Sequence, residues 1–87
     1  QFLLNILFLS KNEPRLAISA SNAITILHFA GFLFTNLNLQ YVQIPYADLT
    51  GINLDGTDLS YANMEKTVLI EAFIKNTNFS HANMQFV

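Results

Sequence analysis

A large apolar residue stands at every fifth position over the second half of the chain: Leu39, Ile44, Leu49, Leu54, Leu59, Met64, Leu69, Ile74, Phe79 and Met84. A helix repeats its buried face at 3.6 residues and a strand at 2, so neither keeps residues five apart on one side for long. From residue 36 the chain divides without insertion into the units NLNLQ, YVQIP, YADLT, GINLD, GTDLS, YANME, KTVLI, EAFIK, NTNFS and HANMQ. The second place of the unit is never charged and mostly small: Leu37, Val42, Ala47, Ile52, Thr57, Ala62, Thr67, Ala72, Thr77 and Ala82. The third is Asn, Asp or Gln except at Val68 and Phe73. Such an internal repeat is read before any local propensity.

The units YADLT, YANME and HANMQ resemble the A(D/N)LXX unit of pentapeptide-repeat proteins. The resemblance covers roughly residues 31 to 87 and implies a mainly β fold, a right-handed quadrilateral β-helix with four units per coil. In that fold the fourth-place residues, Leu39 to Met84, form the axial core, where bulk is needed. Ala47, Ile52, Thr57, Ala62, Thr67, Ala72, Thr77 and Ala82 take the corners, where space favours small side chains.

Stacked residues should then recur once per coil, at the same place of every fourth unit. Tyr41, Tyr61 and His81 fall in one such column, Asn38, Asp58 and Asn78 in a second, and Gln43, Asn63 and Asn83 in a third. Aromatic and amide ladders are established sources of contact between stacked strands. Asp55 and Lys75 align as an opposite-charge pair. A competing reading takes Asp55-Gly56 as a hairpin turn within a β-meander, which leaves the ten units in phase unexplained.

Residues 1–30 read as a helical hairpin that caps residues 31–87. FLLNILFLSK is one helix; Asn12 is placed to cap a second, with Pro14 tolerated in its first turn. Leu16, Ala20, Ala23, Leu27 and Ala30, beside Ala17 and Ile24, form a continuous apolar helix face. An open coil end exposes apolar surface and unpaired backbone groups, which a helix laid across it hides. Leu16, Ala20, Ala23, Leu27 and Phe29 are the expected contacts, and Gly31 the expected stop. The stretch from Ala17 to Leu49 also resembles a segment of large multidomain proteins in which helices lead into pentapeptide repeats beside nucleotide-binding and propeller domains.

Composition excludes several functions. Hydrophobic residues make up 52% and charged residues 11%, which excludes a disordered tail. With four Lys and Arg in total and a net charge of −2 there is no basic patch for nucleic acid. The chain has no Cys, which removes disulfides and thiolate chemistry. Phe2 to Leu9 is too short to span a membrane and lacks a signal peptide's basic flank, and a buried helix turn or two explains it better; the compartment stays open, with an intracellular setting favoured.

His28 and His81 lack partners at metal-ligand spacing, Asp48 and Asp58 occupy structural third places, and no phosphate loop or nucleophile motif occurs. Asn78-Phe79-Ser80 fits the glycosylation acceptor pattern but is also accounted for by the repeat. No enzyme, cofactor or metal is therefore expected. The expected function is a rigid scaffold or docking surface within a larger protein, of which the chain is read as a piece. Its partners would be other protein chains or flanking domains. Tyr41, Tyr61, Val68, Ile70, Phe73 and His81 are the candidate partner surface, with Val68, Ile70 and Phe73 expected to cluster. The family resemblance leaves two alternatives: a DNA-mimicking topoisomerase-binding protein, and part of a nucleotide-binding signalling protein whose catalytic domain lies elsewhere.

Overall fold

A computed structural model describes residues 1–87. Helix α1 spans Phe2–Leu9, with the Gln1 side chain accepting from the Leu4 N–H at its start. A 3-10 turn, Pro14–Leu16, leads into helix α2, Ala17–Phe29. Asn12 does not cap this second helix: Glu13 precedes the 3-10 turn and Leu16 precedes α2, neither with a side-chain capping bond. Proline's fixed φ starts the turn instead. At the other end Gly31 takes φ +92°, while the N–H groups of Gly31 and Phe32 donate to His28 and Leu27. That pairing satisfies two of the helix's last carbonyls and needs a left-handed residue, which glycine supplies.

From residue 36 onward the chain winds past itself, each unit lying beside the fourth unit after it. Isolated parallel bridges join Asn38 to Asp58, Gln43 to Asn63, Asp48 to Val68 and Asn53 to Phe73, and continue from Asp58 to Asn78 and from Asn63 to Asn83. Each pairing is isolated, so no extended strand forms, in contrast to the expectation of a mainly β chain. The reason lies in the unit length: after each third-place bridge the chain turns at the fifth and first places. First-place residues take positive φ at Asn36, Tyr41, Tyr46, Tyr61, Lys66, Glu71, His81 and Phe86, and at Gly51 and Gly56.

Fourth-place side chains fill the interior. Leu39, Ile44, Leu49, Leu54, Leu59 and Met64 have no exposed surface, and Ala47, Ile52, Thr57, Ala62 and Thr67 are buried beside them. Burial of each large apolar side chain contributes roughly 1.5–3 kcal/mol. Leu69, Phe79 and Met84 are only partly buried and Ile74 is 42% exposed, because no residue up to Val87 lies over the last winding. Ala72, Thr77 and Ala82 are half-buried there for the same reason.

The helices close the opposite end. Leu7, Ala20, Ile24 and Leu27 join Phe34, Leu39, Ile44, Leu49 and Leu54 in one core cluster. Phe29 is 61% exposed and does not contribute to this contact; Ile24, one turn before His28, contributes instead.

The first winding would also leave backbone groups unpaired toward the helices. Elsewhere fourth-place and first-place N–H groups donate forward to carbonyls of the next winding, as Leu39 to Asp58 and Tyr41 to Ser60. Third-place N–H groups donate backward to the preceding winding, as Asp58 to Leu37. No earlier winding exists to supply this pattern between positions 38 and 50, and side chains from the helical segment supply five of its bonds. Lys11 Nζ donates to Asn38 O at 2.9 Å, and Ser10 Oγ accepts from Gln43 N at 3.1 Å. Ser21 Oγ lies 2.5 Å from Pro45 O, Thr25 Oγ1 accepts from Asp48 N at 3.1 Å, and His28 Nε2 lies 2.7 Å from Thr50 O. Ser10 and Thr25 each donate their own proton to a carbonyl within the helical segment, Leu7 O and Ser21 O, which leaves a lone pair for the winding.

Candidate functional site

The outward-facing corners carry two columns of side chains. In the first, Tyr41 and Tyr61 stack with ring centroids 5.0 Å apart and planes 11° apart, and Tyr61 stacks on His81 at 4.8 Å and 12°. Tyr41 is 50% and Tyr61 48% exposed. In the second, the Lys66 ammonium sits between the rings of Tyr46 and Phe86, 5.4 Å and 5.7 Å from their centroids. Each aromatic pair is worth about 0.5–1.5 kcal/mol beyond its buried area, which offsets the cost of holding a non-glycine residue left-handed.

Third-place side chains perform a structural task. The Oδ1 atoms of Asn38, Asp48, Asn53, Asp58, Asn63, Asn78 and Asn83 each accept from the N–H two residues on, at 2.9 to 3.2 Å. Such Asx turns carry the chain into its corner. Gln43 makes no turn of this kind, and the residue two places on is Pro45, which has no N–H to offer. Instead Gln43 Oε1 accepts from Asn63 Nδ2 at 3.3 Å, one rung of the expected amide ladder.

These bonds set the local electrostatics. The Asp48 carboxyl is held below the usual carboxylate range, first by the Thr50 hydroxyl and N–H that donate to it and further by the nearby His28 ring. Asp58 is lowered in the same way by Ser60, with a smaller contribution from Lys11. Lys11 is pushed below the ordinary lysine value by burial, and Asp58 opposes that shift. Asp55 and Lys75 do not form the aligned ion pair; Asp55 Oδ1 instead accepts from Asn76 Nδ2 at 2.7 Å. A side-chain amide next to Lys75 in the chain reaches the carboxylate directly.

Val68, Ile70 and Phe73 line two hollows between them. Val68 and Ile70 line an open hollow of about 430 Å³ with Lys66, Leu69 and Phe86. Phe73 lines a separate polar hollow with Asn53, Asp55, Lys75 and Asn76. Val68 and Phe73 bridge to Asp48 and Asn53, consecutive units of the winding, so they occupy adjacent sides. Ile70 and Phe73 are 63% and 66% exposed, and His81 is exposed at the end of its column. In the glycosylation pattern, Asn78 Oδ1 accepts from Ser80 N at 2.9 Å.

No group of three or more His, Cys, Asp or Glu side chains is placed to hold a metal ion, and no helix is long and apolar enough to cross a membrane. The polar contacts of α2 escape apolar periodicity, although Ser21, Thr25 and His28 have helical spacing beside Ala20, Ile24 and Leu27. That second stripe is the signal the sequence offers for them.

Comparison with family models matches residues 47–85 to pentapeptide repeats, in eight copies. Comparisons with curated proteins and with solved structures give no match.

Proposed function

Because residues 47–85 belong to the pentapeptide repeats, we propose that the winding is a right-handed quadrilateral β-helix and that the chain works as a non-enzymatic interaction module. In this reading it is a rigid scaffold or docking surface within a larger protein or assembly. One observation carries it: large side chains stay outside on a fixed backbone, Tyr41, Tyr61 and Ile70 at turns and Phe73 at a bridge, while the interior is already filled. The polar side chains that could perform chemistry are engaged in holding the fold, Asp48 and Asp58 in turns and His28 on a carbonyl. A rigid aromatic surface loses little conformational entropy on binding, which favours use as a contact. A formal charge of −2 gives little support to an acidic mimic of DNA.

A photo-reactive residue at position 61 or 70 of the protein in its native setting tests the proposal. The expected result is a discrete crosslink to another chain or to a flanking domain, absent from a probe at position 22 on α2. Equal and diffuse labelling from all three positions counts against docking on the winding.

A further inference from the structure

Asp55-Gly56 is the place where the repeating hydrogen bonds lapse. First-place N–H groups of Asn36, Tyr41, Tyr46, Gly51, Tyr61 and Lys66 donate to carbonyls of the next winding, whereas Gly56 N–H makes no such bond. The first-place residue that lies beside Gly56 in the next winding explains the lapse. Asn76, unlike the other first-place residues from Asn36 to Phe86, does not take positive φ, and its side chain turns to Asp55 Oδ1 at 2.7 Å. Asp55 and Gly56 are both exposed.

We propose that Asp55 is a site of spontaneous isoaspartate formation, the modification-prone position of this chain. The Gly56 nitrogen adds to Cγ of the protonated Asp55 carboxyl, an N–C bond forms, the C–O bond to the hydroxyl breaks, and the amide hydrogen leaves with that hydroxyl as water, giving a five-membered succinimide. Water then opens the ring at either carbonyl. One opening restores aspartate; the other routes the backbone through the β-carboxyl and frees the α-carboxylate. No oxidant or reductant enters, and the net change is an isomerisation.

Three features favour this step at Asp55. The attacking N–H has no hydrogen bond to break, glycine has no Cβ to obstruct the approach, and the Asn76 side-chain N–H faces a carboxyl oxygen that gains charge as nitrogen adds. The other two aspartates lack them. Asp48 and Asp58 precede Leu49 and Leu59, fully buried residues whose N–H groups donate to Val68 O at 2.9 Å and Asn78 O at 2.8 Å. Both carboxylates are also held in their Asx turns.

The product has a structural consequence. An extra backbone carbon after Asp55 lengthens one unit and displaces the Asn36 N–H to Asp55 O bond of 3.0 Å. The freed α-carboxylate is also the group that a methyltransferase specific for isoaspartyl residues would label.

The folded chain, incubated at physiological temperature and pH, is assayed by methyl transfer from S-adenosylmethionine with such an enzyme, and the site is assigned by electron-transfer fragmentation. Isoaspartate is expected at Asp55 at least about tenfold faster than at Asp48 or Asp58, a barrier difference of about 1.4 kcal/mol. Equal rates at the three aspartates, or no label at Asp55, overturn the proposal. Asp55→Asn, which releases ammonia in place of water, is expected to convert faster still; a variant that stays unchanged after the same incubation also overturns it.

Discussion

The His28 ring places Nε2 2.7 Å from the carbonyl oxygen of Thr50, where the first winding lacks a backbone donor. A carbonyl only accepts, so this bond fixes the proton on Nε2. The histidine therefore stands in for a peptide N–H. It also ties the last full turn of α2 to the corner after Asp48.

Removing that donor leaves a shielded carbonyl unsatisfied. His28→Ala is expected to destabilise the protein by about 1–3 kcal/mol, read as a lowered urea midpoint. His28→Gln, which keeps an N–H donor, should recover part of the loss. Equal losses in the two variants would mean that ring packing, rather than the hydrogen bond, is what matters.

The axial positions are expected to differ along the winding. Leu59 is fully buried, so Leu59→Ala should cost about 2–5 kcal/mol. Ile74 is 42% exposed, and Ile74→Ala should cost well under that, as should Leu33→Ala at 77% exposure. Thermal denaturation of the three variants checks the order.

Two glycines at equivalent corners should respond unequally. Gly51 and Gly56 have φ +75° and +76°, so either Ala substitution carries a left-handed cost of about 1–2 kcal/mol. At Gly51 an added Cβ meets nothing within 4 Å; at Gly56 it falls 2.0 Å from Asn36 Oδ1. Gly56→Ala should therefore be the worse variant in urea denaturation, and adding Asn36→Gly should narrow the gap between them.

Acid should weaken the fold through Asp48 and Asp58. A carboxyl whose folded pKa is depressed stabilises the native state above its unfolded value and loses that contribution as pH falls through the folded value. Both groups are lowered from an ordinary value of 3.8, so the loss lies below that pH. Asn at either position keeps an oxygen acceptor for the turn. Asp48→Asn and Asp58→Asn are thus expected to flatten the acid limb of stability against pH, with little change at neutral pH.

The five-residue period makes the winding readable because a single rule, bulk at the fourth place, applies to every unit from Leu39 to Met84. The stacking of Tyr41, Tyr61 and His81 follows from their recurrence at the first place of every fourth unit. Other features rest on interactions that apolar patterns do not encode. Left-handed φ at Tyr41, Lys66 and Glu71 runs against local preference and is set by the winding. The polar contacts of Ser10, Lys11, Ser21, Thr25 and His28 stay hidden because hydrophobic periodicity ignores hydrogen-bond supply. That Val68 and Phe73 pair with consecutive units, at Asp48 and Asn53, follows from the four-unit pairing, which adjacency in sequence does not reveal.

The bridge from each unit to the fourth unit after it restricts the insertions and deletions that the protein can accept. A gain of one residue puts every later fourth-place side chain out of phase with the core, whereas a gain of one whole unit preserves that phase but parts Tyr61 from Tyr41. Only four added units leave interior, corners and columns all in step. Length in this molecule is thus a stepped variable, and repeats can be duplicated or lost without structural penalty only in multiples of a whole circuit.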